Sequence, residues 1–98
     1  MVNQRVPMFP HQAAEIEQIL FNLQASSEML TNTLPFLSGP TKHAIRRIVD
    51  DMNKKIDDID FKLRNPRVEH DHEKEMSSLQ KFCDECSERI GELQTPAP

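Results

Sequence analysis

The sequence predicts an all-α fold: a three-helix antiparallel bundle with coiled-coil-like seams, completed by homo-oligomerisation. Three observations carry this. Three long segments space their apolar residues alternately by three and four, the period of one helical stripe. Short proline-bearing breaks separate them, and breaks this short make consecutive helices antiparallel neighbours. The composition has no Trp, no Tyr and two Gly, with few β-branched runs, which argues against a sheet.

The clearest segment is the central one, residues 41–63. Its apolar residues Ile45, Val49, Met52, Ile56, Ile59 and Leu63 step by 4, 3, 4, 3, 4. Of the twelve Lys and Arg, seven lie in it or just beyond: Lys42, Arg46, Arg47, Lys54, Lys55, Lys62 and Arg64. The flanking segments are acidic. A basic amphipathic helix over 40–64, clasped by two acidic ones, follows.

The first helix is expected over 10–34. Ala13, Ile16, Leu20, Leu23, Ser27, Leu30 and Leu34 form its seam. Ser27 stands where a larger apolar residue belongs and would let two helices approach closely. Ile19, Phe21 and Met29 lie off the seam. No Lys or Arg occurs between Arg5 and Lys42. Its exposed positions include uncharged polar ones such as Gln18, Asn22, Gln24 and Asn32. A helix of this kind is covered on more than one side. It is the expected oligomer or partner surface, with Phe9, Ile19, Phe21, Ser27 and His72 as the interface residues.

Residues 1–9 read as an extended apolar arm. Pro7 and Pro10 bracket Met8 and Phe9, and proline cannot continue a helix backwards. The arm either folds back over the bundle end or docks on a second subunit or a partner. Leu34-Pro35 ends the first helix because proline disfavours helical geometry in the residue before it. In PFLSGP, Phe36 and Leu37 are expected to plug the bundle end. Ser38 or Gly39 caps the second helix with Pro40 at its first position. Asn65-Pro66 is read as the cap and first turn of a third helix over 66–93. The third seam is His72, Met76, Leu79, Cys83, Cys86, Ile90 and Leu93. Residues 95–98 read as a disordered tail, leaving 10–94 as one helical domain.

Ninety-eight residues make one small core. Such a chain buries only about 60–65% of its unfolded surface. Narrow seams leave the core thin, so a dimer is expected. The net charge of −4 gives no general attraction to nucleic acid or anionic membrane. No apolar run reaches the ~18 residues of a membrane span. MVNQRVPMFP has no export-signal core. Two cysteines without an export signal place the chain in a reducing cytoplasm.

Cys83 and Cys86 form C-x-x-C in mid-helix. A redox pair needs an accessible thiol at a helix N-terminus, so these read as packing residues. His70 and His72 do not join them: eleven residues of helix separate His72 from Cys83 by about 16 Å. No metal site is expected. His72 falls on the seam as a residue fixing register. The most pointed cluster is Thr41, Lys42, Arg46 and Arg47, with His43, in the first turns of the second helix. N–H groups at that end favour an anion and cations add to it. This is either an anion-binding site or a set of cations paired with Glu85, Glu88 and Glu92 of the third helix. Lys54, Lys55, Lys62, Arg64 and Arg67 do not make a nucleic-acid stripe, because Asp50, Asp51, Asp57, Asp58 and Asp60 interrupt them. The aspartate pairs lack a pocket, nucleophile or base.

The expected function is therefore non-enzymatic and cofactor-free. The chain reads as a small acidic interaction protein, an adaptor or inhibitor. It would self-associate and bind a larger protein through charged helix faces. Small acidic helical chains serve as phage or plasmid accessory factors, secretion chaperones and regulators, an association of size and composition alone. The alternatives are a binder of an anionic small molecule or nucleotide at the basic cluster, and a structural scaffold subunit or chaperone.

Overall fold

A computed structural model describes residues 8–65 and 70–94, and every regular element among them is helical. The elements are α1 (Pro10–Thr33), a 3-10 turn (Leu34–Phe36), α2 (Gly39–Arg64) and α3 (His72–Gln94). Residues 1–7 of the arm, 66–69 and the tail 95–98 lie outside the described residues.

Each helix end has a local cause. Pro10 occupies the first turn of α1, where its missing N–H costs nothing. The Gln12 side chain reaches back to accept the Phe9 N–H at 3.0 Å, one half of a capping box. Leu34 keeps right-handed helical angles (φ −53°, ψ −42°), contrary to the expectation for a residue before proline. The α-helix still stops at Thr33, because Pro35 has no N–H to continue the ladder and the chain tightens into the 3-10 turn. Gly39 has φ +63°, the left-handed region that glycine enters without Cβ strain. Pro40 then starts the α2 rise. Ser38 makes no side-chain cap hydrogen bond.

The start of α3 corrects the sequence expectation. Asn65 does not cap α3. It closes α2, donating both its backbone N–H (3.0 Å) and its Nδ2 (2.7 Å) to the Phe61 carbonyl. The cap of α3 is Asp71, whose Oδ1 accepts the Lys74 N–H at 3.1 Å while its carbonyl accepts from Glu75. Its position just outside the helix decides the role of Asp71.

Cross-helix contacts set the direction of each element. Only residues 34–38 join α1 to α2 and Ser27 near the end of α1 meets Asn53 in the middle of α2, so the two helices run antiparallel. Lys62 meets Glu75 and Asp51 meets Arg89, so α2 and α3 are antiparallel. Glu15 meets His72, which places the start of α3 beside the start of α1. The helices α1 and α2 approach each other more closely than either approaches α3. Buried Ser27 sits in that closer contact, since a small side chain lets two backbones draw together.

The core consists of Ile16 and Leu23 from α1, Ile45, Ile48, Val49, Met52 and Ile59 from α2, and Leu79 and Cys86 from α3. Ile59 and Leu79 are fully buried. Ile48, off the stripe in the sequence, is 1% exposed. α2 is flanked by both other helices, so its buried sector is wider than one seam. One edge (Asn53) meets α1 and the other (Ile48, Asp51, Lys55, Lys62) meets α3. Phe36 does not plug the bundle end: it is 87% exposed, and Leu37 packs there instead.

Candidate functional site

Three surfaces and two side-chain pairs carry the chemistry. The first surface is the outward side of α1. At about 100° per residue, Phe21 points opposite the buried Ile16 and Leu23. Phe21 is 69% exposed and Met29 is 67% exposed. Around them lie exposed Ala14, Gln18, Ala25 and Asn32, with Glu17 and Glu28 as the charges. The residues expected at an interface separate here. Phe9 and Phe21 are exposed; Ile19 is half-buried against the core; Ser27 is buried, donating its hydroxyl to Asn53 Oδ1 at 2.8 Å. Ser27 thus serves the α1–α2 contact within the chain rather than an outside partner.

The second surface is the basic start of α2. Gly39, Lys42, His43 and Arg46 line a shallow recess there. Thr41, Arg46 and Arg47 are exposed and Lys42 is half-buried. The expected pairing with α3 carboxylates does not form. Among the described residues, Lys42, Arg46 and Arg47 close no ion pair, although Arg47 and Glu92 line one recess. The residue turned toward α2 is Arg89, which pairs with Asp51 at 2.9 Å; Glu88 lies about 100° round the helix from it, and Glu85 and Glu92, four and three residues from Arg89, share its side of α3 without closing a pair with these cations.

The third surface is a group of exposed carboxylates. Asp84, Glu85, Glu88 and Glu92 are all exposed on the C-terminal half of α3. Beneath them a mixed ladder joins α3 to α2. Lys62 Nζ sits 2.8 Å from Glu75, the Lys55 ammonium lies 5.3 Å over the Phe82 ring, and Arg89 closes the pair with Asp51. Burial opposes the charge on Lys62, yet the hydrogen bonds and fields of Glu75 and Asp58 outweigh it and raise its pKa.

His72 contacts neighbours in its own chain. Its Nε2 lies 2.6 Å from Glu15 Oε1 and its Nδ1 lies 3.0 Å from His70 Nε2. With His72 neutral, His70 donates to Nδ1 and Nε2–H donates to the carboxylate. Burial, then the neighbouring His72, lowers the His70 pKa from its ordinary value. Glu75 and Asp71 act the other way.

Cys86 is buried and Cys83 half-buried, both as free thiols. Burial pushes both pKa values up; Asp84 adds to it at Cys83, and Lys55 opposes. At Cys86 Arg89 opposes burial, while Cys83, Asp51 and Glu85 add to it. Raised thiols are poor nucleophiles at neutral pH. Among the described residues no three His, Cys, Asp or Glu side chains converge as a metal site. Among the same residues no helix is long and apolar enough to cross a membrane.

Sequence reasoning missed two features. One is the mixed ladder on the α3-facing edge of α2, hidden because Asp51, Lys55 and Lys62 read as solvated charge. The other is a second, fainter seam on α1, formed by Ala14, Gln18, Phe21, Ala25, Glu28 and Asn32. It follows the same 4, 3, 4, 3, 4 steps, but only Phe21 is large and apolar. Compared with known proteins, the chain matches no family model, no curated protein and no solved structure.

Proposed function

We propose that this chain is a small, non-enzymatic interaction protein, an adaptor or inhibitor, that self-associates and engages a larger protein. One observation carries the reading. Of the five phenylalanines, Phe9, Phe21, Phe36 and Phe61 are 49%, 69%, 87% and 58% exposed. Aromatic rings are the costliest side chains to leave in water and the most productive anchors at interfaces. A chain with so thin a core that leaves its rings outside is built to cover them with something else. The exposed carboxylates Asp84, Glu85, Glu88 and Glu92 indicate the partner's character: a protein with a cationic groove, steered to the acidic side of α3.

The test is affinity capture from the source cells, with the wild-type chain and two variants. One reverses α3 (Glu85→Lys with Glu88→Lys), and the other removes rings (Phe36→Ser with Phe61→Ser). The wild type should hold a stoichiometric protein at low salt and release it as salt rises. Both variants should lose it. A wild-type chain that retains no stoichiometric protein overturns the reading. Equal retention by the reversed variant overturns the acidic face as the contact.

The cations at the start of α2, which close no ion pair among the described residues, favour a second reading, an anionic ligand held by Thr41, Lys42, Arg46 and Arg47. Calorimetry with inorganic phosphate and nucleotides separates it from the first. Binding heat that disappears in Lys42→Ala with Arg46→Ala would establish it, and absence of heat would remove it.

A further inference from the structure

The geometry points to a zinc-binding site at the entry to α3, formed by Nε2 of His70 and Nδ1 of His72, with Glu15 of α1 as the residue that positions His72. It stands independently of the interaction reading above. The eleven residues between His72 and Cys83 exclude a histidine–cysteine site, not one made by the two histidines.

His72 is held in the form a metal needs. Its side chain is 19% exposed. With the ring neutral, Nε2–H donates to Glu15 Oε1 at 2.6 Å. The remaining lone pair is then on Nδ1, and it faces Nε2 of His70 at 3.0 Å. A carboxylate behind an imidazole is the usual outer support of a metal-bound histidine, because it fixes the tautomer and makes the free nitrogen a better donor. His70 stands two residues before α3, outside its hydrogen-bond ladder. Its hydrogen can move to Nδ1, the other neutral tautomer, and both lone pairs then turn inward.

The spacing fits a tetrahedral ion. Bonds of about 2.0–2.1 Å hold two nitrogens about 3.3–3.4 Å apart. The two rings need to part only slightly from where they stand. Two nitrogens leave the other two positions of the tetrahedron to water.

Charge favours a dication here. Asp71 and Glu75 act on His70 as negative charges and Lys62 as a positive one. With Glu15 on His72, three carboxylates surround the pair against one ammonium, and that ammonium is itself bonded to Glu75 at 2.8 Å. The start of α3 is the positive end of its dipole, and Glu73 and Glu75 in its first turn offset this. Imidazole nitrogens select borderline transition ions, whereas magnesium demands oxygen ligands.

The test titrates zinc chloride into the full chain carrying Cys83→Ala and Cys86→Ala, which removes the thiols as ligands, with circular dichroism to confirm helicity. One ion per chain should bind, and magnesium chloride should give no heat. His70→Gln and His72→Gln should each lose the site, while His43→Gln, at the other end of the bundle, should keep it. Glu15→Gln should weaken zinc at least about tenfold. Nitrogen-15 spectra of the wild-type chain with zinc give the second readout. His70 should be bound through Nε2, and His72 through Nδ1 with its hydrogen on Nε2. Zinc should also raise the melting temperature of the wild type and not of His70→Gln. No saturable binding up to millimolar zinc overturns the proposal, as does binding that persists in either histidine variant or is matched by magnesium. His72 bound through Nε2, or unchanged affinity in Glu15→Gln, overturns the positioning role of Glu15.

Discussion

Ser27 of α1 donates its hydroxyl to Oδ1 of Asn53 on α2 at 2.8 Å, across the contact between the two helices. The same serine lends its carbonyl to the Thr31 hydroxyl at 2.8 Å. A position that reads as a defect in an apolar seam is a buried, hydrogen-bonded link between two helices. Ser27→Ala should cost about 1 kcal/mol, the worth of one part-buried hydrogen bond. Ser27→Leu should cost about 1–3 kcal/mol through overpacking. Urea unfolding of both variants checks the order. If leucine stabilised the chain, Ser27 would not lie at a tight contact.

Met52→Ala should cost about 2–5 kcal/mol, because Met52 is 3% exposed between α1 and α3 and its loss leaves a cavity. Phe61→Ala should stay within about 0.5 kcal/mol for the isolated chain, since the residue is 58% exposed. Denaturant midpoints of the two variants should therefore separate widely, although Phe is the larger side chain. Equal losses would place Phe61 in the core.

Gly39→Ala should cost about 1–2 kcal/mol. A Cβ meets nothing within 4 Å there, so the whole effect is backbone strain at φ +63°. Gly39→Asn should recover part of it, since asparagine tolerates the left-handed region best among residues with a Cβ. A thermal melt ranking Gly above Asn above Ala is the expected result.

His70 makes stability fall in mild acid. Its folded pKa lies below the ordinary 6.5, so the unfolded chain binds the proton more readily. The contribution is complete above about pH 6.5 and is lost as pH falls through the lower folded value. His70→Gln should flatten the urea midpoint between neutral pH and that window. A wild type that gains stability on acidification through this range would show the sign to be reversed.

Cys86 should react with a thiol reagent only as fast as the chain opens, because it is buried and its pKa is raised. Cys83, half-buried, should react first yet still more slowly than free cysteine. Timed labelling with mass readout gives the two rates. Rapid equal labelling of both in the folded chain would contradict the packing at Leu79 and Cys86.

The three helical stretches were legible because apolar spacing is a local property of the chain, and Ile16, Leu23, Val49, Met52, Ile59, Leu79 and Cys86 all lie on the stripes so found. Ile48 was not assignable, since one stripe cannot say that a helix has neighbours on two sides. Phe36 was misplaced for a related reason: apolarity predicts burial only if the fold offers a site, and Leu37 takes the one at that end. Of the candidate surfaces, the cation-free outer side of α1 and the basic start of α2 were readable as composition. Their ion pairing was not, because a rotation of about 100° per residue decides whether Glu88 or Arg89 faces α2.

What the sequence determined by itself is helix content, stripe position and breaks at proline, all consequences of interactions within a few residues. The tertiary structure alone decided which charges meet. Arg89 finds Asp51 and Lys62 finds Glu75, while Lys42, Arg46 and Arg47 are left without a carboxylate among the described residues. An ion pair depends on azimuth and axial level in two separate helices, and those are set only when the buried side chains of all three have packed.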